Sequence, residues 1–333
     1  MAPRPIALTC GEPAGIAPEI TAMAWRKLRG DPRQCFFLLG DAAYFETRAR
    51  LAGVEIPVQR INAPSEAANM FGYALPVIDL PLPKPPLAGH IEGTSASTVI
   101  AAIDKSVAIA LKGEASAIVT NPIHKDALYQ AGFRHQGHTD YLAHLARSQG
   151  HEAHDVMMLV ARDLRAVPVT VHIPLAEVAA QLTTEMIVAQ ARVVEGALKN
   201  HFGVVAPRLA VTGLNPHAGE NGAMGREEIT IIAPAVEKLR AEGMSVIGPL
   251  SADTAFHAEA RRGYDAILCM YHDQALIPVK TIDFHGGVNV TLGLPFIRTS
   301  PDHGTALEIA GTGKANPSSL IAAIELAASM ARA

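Results

Sequence analysis

A largely parallel α/β fold is predicted for this chain, on three observations. Short β-rich runs alternate with longer amphipathic stretches. The composition, 49% hydrophobic and 18% charged over 333 residues, supplies a full core. One apolar–turn–apolar unit in the middle of the chain adds an antiparallel pair to an otherwise parallel pattern.

Residues 6–9 read as the first strand, followed by the loop Gly11-Glu12-Pro13-Ala14-Gly15-Ile16-Ala17-Pro18 and a helix over 19–28. Residues 35–39 form the next apolar run, ending at Gly40-Asp41, where Asp41 is placed to cap a helix. A strand is expected over 54–61, a helix over 95–112, and a buried strand over 117–120 that stops at Asn121-Pro122. The segments 156–161 and 166–173 flank Arg162-Asp163-Leu164-Arg165 and read as a hairpin. One long helix is expected over 177–199, then a strand over 209–212 and a helix over 227–242. Strands follow at 266–270 and 288–292, and a last helix runs from the potential caps Ser318-Ser319 to about residue 330. The stretch Leu80-Pro81-Leu82-Pro83-Lys84-Pro85-Pro86 is a stiff surface connection.

The bulk composition narrows the function. A net charge of −4 with no basic block argues against nucleic acid. The N-terminal segment, Met1-Ala2-Pro3-Arg4-Pro5 before Ile6-Ala7-Leu8, is too short in its apolar part for a signal peptide or a membrane span. Cys10, Cys35 and Cys269 show no paired spacing, which fits a reducing cytoplasm.

Three histidines share one context: apolar run, His, loop. His172 follows Val169-Thr170-Val171, His217 lies just past the strand over 209–212, and His272 follows Ile267-Leu268-Cys269-Met270-Tyr271. The carboxyl ends of strands in an open α/β sheet face the ligand crevice, and three protein ligands with an open position suit a catalytic metal. Any one of them alone is more often a satisfied structural residue; their shared context, absent at His144, His151 and His154, favours the metal.

A second set suits an anion. Gly137-His138-Thr139-Asp140 precedes a helix beginning near Tyr141, with Thr139 as potential cap and exposed amides facing the same place. Lys280, Asn289 and Arg298 lie further on, Arg298 after an apolar run and before two hydroxyls, a setting for a carboxylate or phosphate. Each could equally be a plain cap or a surface charge. No Gly-x-Gly-x-x-Gly follows the first strand, so a nucleotide would be held by other means.

Several motifs together resemble the PdxA family, the 4-hydroxythreonine-4-phosphate dehydrogenases of vitamin B6 biosynthesis. They are Gly11-Glu12-Pro13-Ala14-Gly15-Ile16, Gly137-His138-Thr139, Val171-His172-Ile173-Pro174-Leu175 and Gly213-Leu214-Asn215-Pro216-His217-Ala218-Gly219-Glu220. To these are added Tyr271-His272-Asp273-Gln274, Asn289-Val290-Thr291-Leu292-Gly293-Leu294-Pro295 with Arg298, and Asp302-His303-Gly304-Thr305-Ala306, so the likeness spans essentially the whole chain. One departure is Ala17, where the family usually has glycine; alanine disfavours a positive φ there.

The resemblance implies an isocitrate/isopropylmalate dehydrogenase-like fold: two α/β/α domains with an active-site cleft between them, in a homodimer whose partner subunit shares the site. The expected first domain is 1–130 plus 275–333, holding both chain ends, and the second is 131–274, holding the metal ligands and the dimer interface. It further implies His172, His217 and His272 as ligands of one divalent metal (zinc, magnesium or cobalt), and His138, Thr139, Lys280, Asn289 and Arg298 as the substrate set. The segment 302–316, with Asp302, His303, Gly304 and Asn316, resembles an adenosine-binding loop for NAD or NADP.

The implied reaction is oxidation of the secondary alcohol of 4-phosphooxy-L-threonine to 2-amino-3-oxo-4-phosphooxybutanoate, which loses carbon dioxide to give 3-amino-2-oxopropyl phosphate. Lys280, Asp253 and Asp273 are candidates for the proton-abstracting base, with a metal-bound water as another. The alternatives are a dehydrogenase on the same scaffold acting on another hydroxy acid, sugar-acid phosphate or dihydrodiol, and a metal-dependent hydrolase or lyase that turns over without NAD.

Overall fold

The computed structural model describes residues 4–135 and 137–333; Met1, Ala2 and Pro3, where the N-terminal segment read above begins, lie outside the described residues, as does Gln136. The strands are β1 (Ile6–Thr9), β2 (Phe36–Gly40), β3 (Val58–Ile61), β4 (Leu75–Asp79), β5 (Ile118–Thr120), β6 (Val156–Ala161), β7 (Leu164–Pro168), β8 (Arg208–Thr212), β9 (Ser245–Leu250), β10 (Ala266–Cys269), β11 (Val288–Leu292) and β12 (Arg298–Pro301).

The chain forms two compact units, Met1–Asp155 with Leu294–Arg332, and Val156–Gly293. Both divisions fall later along the chain than the expected 130/131 and 274/275. The helix His138–Ser148 packs on the helix Ala96–Leu111 and stays with the first unit, while His272–Ile282 packs on β6, β7 and β10 and stays with the second.

In unit 1 the strand order is β3-β4-β2-β1-β5-β12, and every pairing is parallel. Consecutive residues of β1 and β2 are buried, so both faces of this sheet are covered, as parallel sheets require. The apolar stretch Gly93–Leu111 is long enough in composition to cross a membrane, but it is half buried and packs on β1, β2 and β5 as a core helix. Asp41 caps the helix Ala42–Leu51 as expected, its carboxylate accepting from Tyr44 N at 2.9 Å.

In unit 2 the order is β11-β6-β7-β10-β8-β9. The β6–β7 pair is the expected antiparallel hairpin, with β7 ending at Pro168 and not at 173; β11 pairs antiparallel with β6, and β7, β10, β8 and β9 run parallel. The single helix expected over 177–199 is two, Leu175–Gln181 and Thr184–His201, because the Thr183 hydroxyl accepts from Met186 N and starts a second helix. The helix expected over 227–242 opens with a π-turn, Glu228–Ile232, before Ala233–Ala241.

Candidate active site

The three histidines sit where the chain leaves the sheet of unit 2. Val169 and Thr170 run on past β7, with Val169 N donating to Cys269 O at 2.7 Å and the Thr170 hydroxyl to Met270 O at 2.8 Å. His172 then adopts φ 49° and is exposed, so it stands on a turn and not at the strand end itself. His272 is the first residue of the helix His272–Ile282. Buried Gln274, in the first turn, accepts from Met270 N (2.6 Å) and the Thr212 hydroxyl (2.7 Å) and donates to Gly213 O (2.8 Å). One amide therefore fastens the segment carrying His272 to the segment that leads to His217.

His217 lies in a left-handed turn. His217, Ala218, Gly219, Glu220 and Asn221 all have positive φ, between 46° and 79°. A left-handed residue bearing a Cβ costs about 1–2 kcal/mol, so such a run persists only where its surroundings over-determine it. Buried Glu228 does this. Its Oε1 accepts from Leu214 N (2.8 Å) and Asn215 N (2.7 Å), and its Oε2 accepts from Asn215 Nδ2 (3.0 Å). Only glycine fits at 219, where φ is +79° and a Cβ would stand 2.5 Å from Glu228 Oε2.

His172 and His272 lie side by side, ring centroids 5.7 Å apart. Among the described residues, however, no group of three His, Cys, Asp or Glu is gathered closely enough to hold a metal ion, so His217 does not join the pair in this chain conformation. The donor chemistry still fits a metal. His272 Nδ1 is 2.7 Å from Asp273 Oδ1, an outer carboxylate partner that leaves Nε2 as the ligand atom.

The base candidates separate. Asp273 is engaged by His272. Asp253 is exposed and accepts from the Ser251 hydroxyl at 2.5 Å, and that bond above all holds its carboxyl below the ordinary range. Lys280 lies near the end of the helix that His272 opens, its ammonium 5.4 Å from the Phe284 ring centre. Asn289, on β11, has its Oδ1 buried without a hydrogen-bond partner among the described residues, as a waiting acceptor would.

Unit 1 carries the other set. Arg298 opens β12 opposite β5, is 3% exposed, and donates from Nε (3.2 Å) and Nη2 (2.6 Å) to the Thr120 hydroxyl. Burial pulls its pKa down to about 10, which leaves it charged at neutral pH. His138 opens the helix His138–Ser148, with Gly137 at the N-cap and no side-chain cap among the described residues. Thr139 does not cap, because the helix begins one residue before it and Thr139 already sits in the first turn. Burial, then the nearby charges of Arg298 and Lys125, hold the His138 pKa well below its ordinary value, and its Nε2 is shielded without a partner among the described residues.

The loop 302–316 is tied to its own helix and to the first loop. Asp302 N donates to Ser319 Oγ at 3.0 Å, so the expected serine cap of Ser318–Met330 does not form. Asn316 Oδ1 accepts from Ser318 N (3.0 Å), and His303 Nδ1 lies 2.9 Å from Gly304 O. A Cβ at Gly304 would meet open space, whereas one at Gly15 would stand 2.7 Å from Thr305 O. Arg48 holds the first loop by donating to Pro13 O (2.6 Å), Gly15 O (3.0 Å) and Glu19 Oε1 (3.1 Å). Ala17 is the first residue of the helix Ala17–Leu28 and needs no positive φ, so the departure from glycine there carries no strain.

Residues 32–327 match the family model for the pyridoxal phosphate biosynthetic protein PdxA. The chain belongs to this family. A 4-hydroxythreonine-4-phosphate dehydrogenase from Bradyrhizobium diazoefficiens is 53% identical over all of this chain and 98% of its own length. The crystal structure of 4-hydroxythreonine-4-phosphate dehydrogenase from Klebsiella pneumoniae is 40% identical, with a TM-score of 0.90 over 99% of each chain. A terephthalate 1,2-cis-dihydrodiol dehydrogenase from Burkholderia xenovorans is more distant, at 29% identity and a TM-score of 0.65 over 98% of each chain. The expected α/β fold is thus the fold of the PdxA family. The PdxA match contains every candidate residue from His138 to Asn316; the first loop lies before it but within the full-length likeness to the Bradyrhizobium relative.

Sequence reasoning missed Lys125, Thr120 and Glu228. Glu228 follows Arg226-Glu227 and looks like any first-turn helix acid, so no signal within one sequence sets it apart.

Proposed function

We propose that this chain is a 4-hydroxythreonine-4-phosphate dehydrogenase of pyridoxal 5'-phosphate biosynthesis, acting in the cytoplasm as a homodimer. It oxidises 4-phosphooxy-L-threonine with NAD or NADP, and the 3-oxo acid then loses carbon dioxide to give 3-amino-2-oxopropyl phosphate. The observation that carries this reading is its full-length likeness to enzymes of that name. The buried charge of Arg298 beside a neutral His138 agrees with an anionic substrate.

In this reading His172, His217 and His272 hold one divalent metal, zinc, magnesium or cobalt. When bound, it supplies a Lewis acid for the reacting hydroxyl and for the charge that develops on decarboxylation. The chain's own groups do the rest. Asp273 fixes the ring of His272 through Nδ1. His138, Thr139, Lys280, Asn289 and Arg298 take the substrate's charged and polar groups. Lys280, Asp253 and Asp273 are the candidates for the proton-abstracting base, with a metal-bound water as another. The loop 302–316, with Asp302, His303, Gly304 and Asn316, would hold the nucleotide, which would supply the hydride acceptor.

The test is NADH formation, followed by absorbance, from purified protein, 4-phosphooxy-L-threonine and NAD. Turnover is expected to vanish on chelation and to return with a divalent metal. Substrate loss without NADH would point to a hydrolase or lyase. Turnover of a cis-dihydrodiol with none of the phosphorylated substrate would move the chain toward the activity named for the Burkholderia relative.

A further inference from the structure

The start of the helix His138–Ser148 carries more positive charge than the substrate set accounts for. Lys125, the first residue of the helix Lys125–Gln130, lies against Gly137: a Cβ there would stand 3.4 Å from Lys125 Cε and 3.6 Å from its Nζ. Its charge and that of Arg298 both reach the His138 ring. Among the described residues no side chain caps this eleven-residue helix, and first-turn amides have no intrahelical acceptors. The acid of that turn, Asp140, is turned to His135, its Oδ2 3.1 Å from His135 Nδ1. The His138 Nε2 is shielded from solvent and makes no hydrogen bond among the described residues. Two full cations, a helix N-terminus and a waiting imidazole nitrogen converge on one place.

We propose that Lys125 is a specificity residue for the substrate's phosphate, its ammonium closing a dianion site formed with Arg298, His138 and the first turn of His138–Ser148. The proposal rests on the substrate reading above and deepens it. A phosphate dianion brings two charges to the two cations and has oxygens enough for the amides and the imidazole. Lysine suits the role because a flexible ammonium is a point charge that follows a tetrahedral anion without demanding a planar fork. Glycine at 137 keeps the space beside that ammonium clear. A relative acting on a substrate without phosphate has no use for such a cation.

Inorganic phosphate is the probe, titrated calorimetrically into the full-length protein without substrate or NAD, for the wild type, Lys125→Gln and Lys125→Arg. Lys125 is exposed, so neither variant disturbs the core. Binding is expected to weaken at least about tenfold in Lys125→Gln and to recover largely in Lys125→Arg, as for loss and return of one charge on a bound anion. With 4-phosphooxy-L-threonine, the same variant is expected to raise KM while kcat stays near that of the wild type. Phosphate affinity unchanged in Lys125→Gln, or no phosphate binding by the wild type, overturns the proposal. Lys125-dependent phosphate binding in a protein that does not oxidise 4-phosphooxy-L-threonine would uphold the site and sink the substrate reading. Turnover of that substrate with an unchanged KM in Lys125→Gln would do the reverse.

Discussion

The two units carry their polar groups in opposite ways. In unit 1, Arg298 stands on β12 itself, held by a threonine at the end of the adjacent parallel strand. In unit 2, none of the three histidines is on a strand: His172 and His217 have positive φ, and His272 opens a helix. The first arrangement is rigid because the sheet is rigid. The second depends on a layer of buried polar side chains, Gln274 and Glu228, whose partners are mostly backbone atoms. An anion site of the first kind should fail only when its charges are removed, whereas a metal site of the second kind should also fail when its supports are removed.

The largest expected effect is at His217. His217→Ala should lose stoichiometric metal and fall to the activity of the metal-free enzyme, with the fold retained by circular dichroism because His217 is exposed. Metal analysis of the purified variant decides; one metal per chain would remove His217 from the ligand set. The next effect is at Arg298. Arg298→Ala should raise KM for the phosphorylated substrate, with a loss in kcat/KM of about 2–5 kcal/mol, as for removal of a buried partner of an anion. It should leave metal content untouched, which separates the two units experimentally. An unchanged KM would place Arg298 outside the substrate site.

Much of this was legible before the structure. The strands at 6–9 and 288–292 and the hairpin after residue 156 follow directly from apolar runs and turn residues. The shared context of the three histidines also marks the places where unit 2 leaves its sheet. What failed has physical causes. The helix break at Thr183 is invisible to periodicity, because apolar residues continue on both sides and threonine serves equally as interior or cap. β9 was not read at all, because Gly248-Pro249 signals a loop. In the strand, Gly248 takes φ +147° where a Cβ would stand 2.5 Å from Val211 O. Glu228 was illegible for a deeper reason: its role lies entirely in contacts to a loop more than ten residues away.

Glu228 also offers the sharpest test of the contrast. Glu228→Gln preserves shape but replaces one carboxylate oxygen with an NH2 group. If the amide oxygen keeps the Leu214 and Asn215 backbone N–H groups, the new NH2 faces the Asn215 Nδ2 donor; if the amide flips, the NH2 faces both backbone donors. Either way a buried donor is left unmet, at about 1–3 kcal/mol, and the left-handed turn loses part of what sustains it. Since His217 rides on that turn, metal affinity is expected to fall about 10–100-fold, as for loss of an outer-layer partner, while kcat at saturating metal stays close to wild type. Metal titration together with thermal unfolding gives the answer. A variant that melts earlier yet binds metal as tightly as the wild type would make Glu228 a fold residue only, and the metal site would then be no more dependent on its supports than the anion site of unit 1.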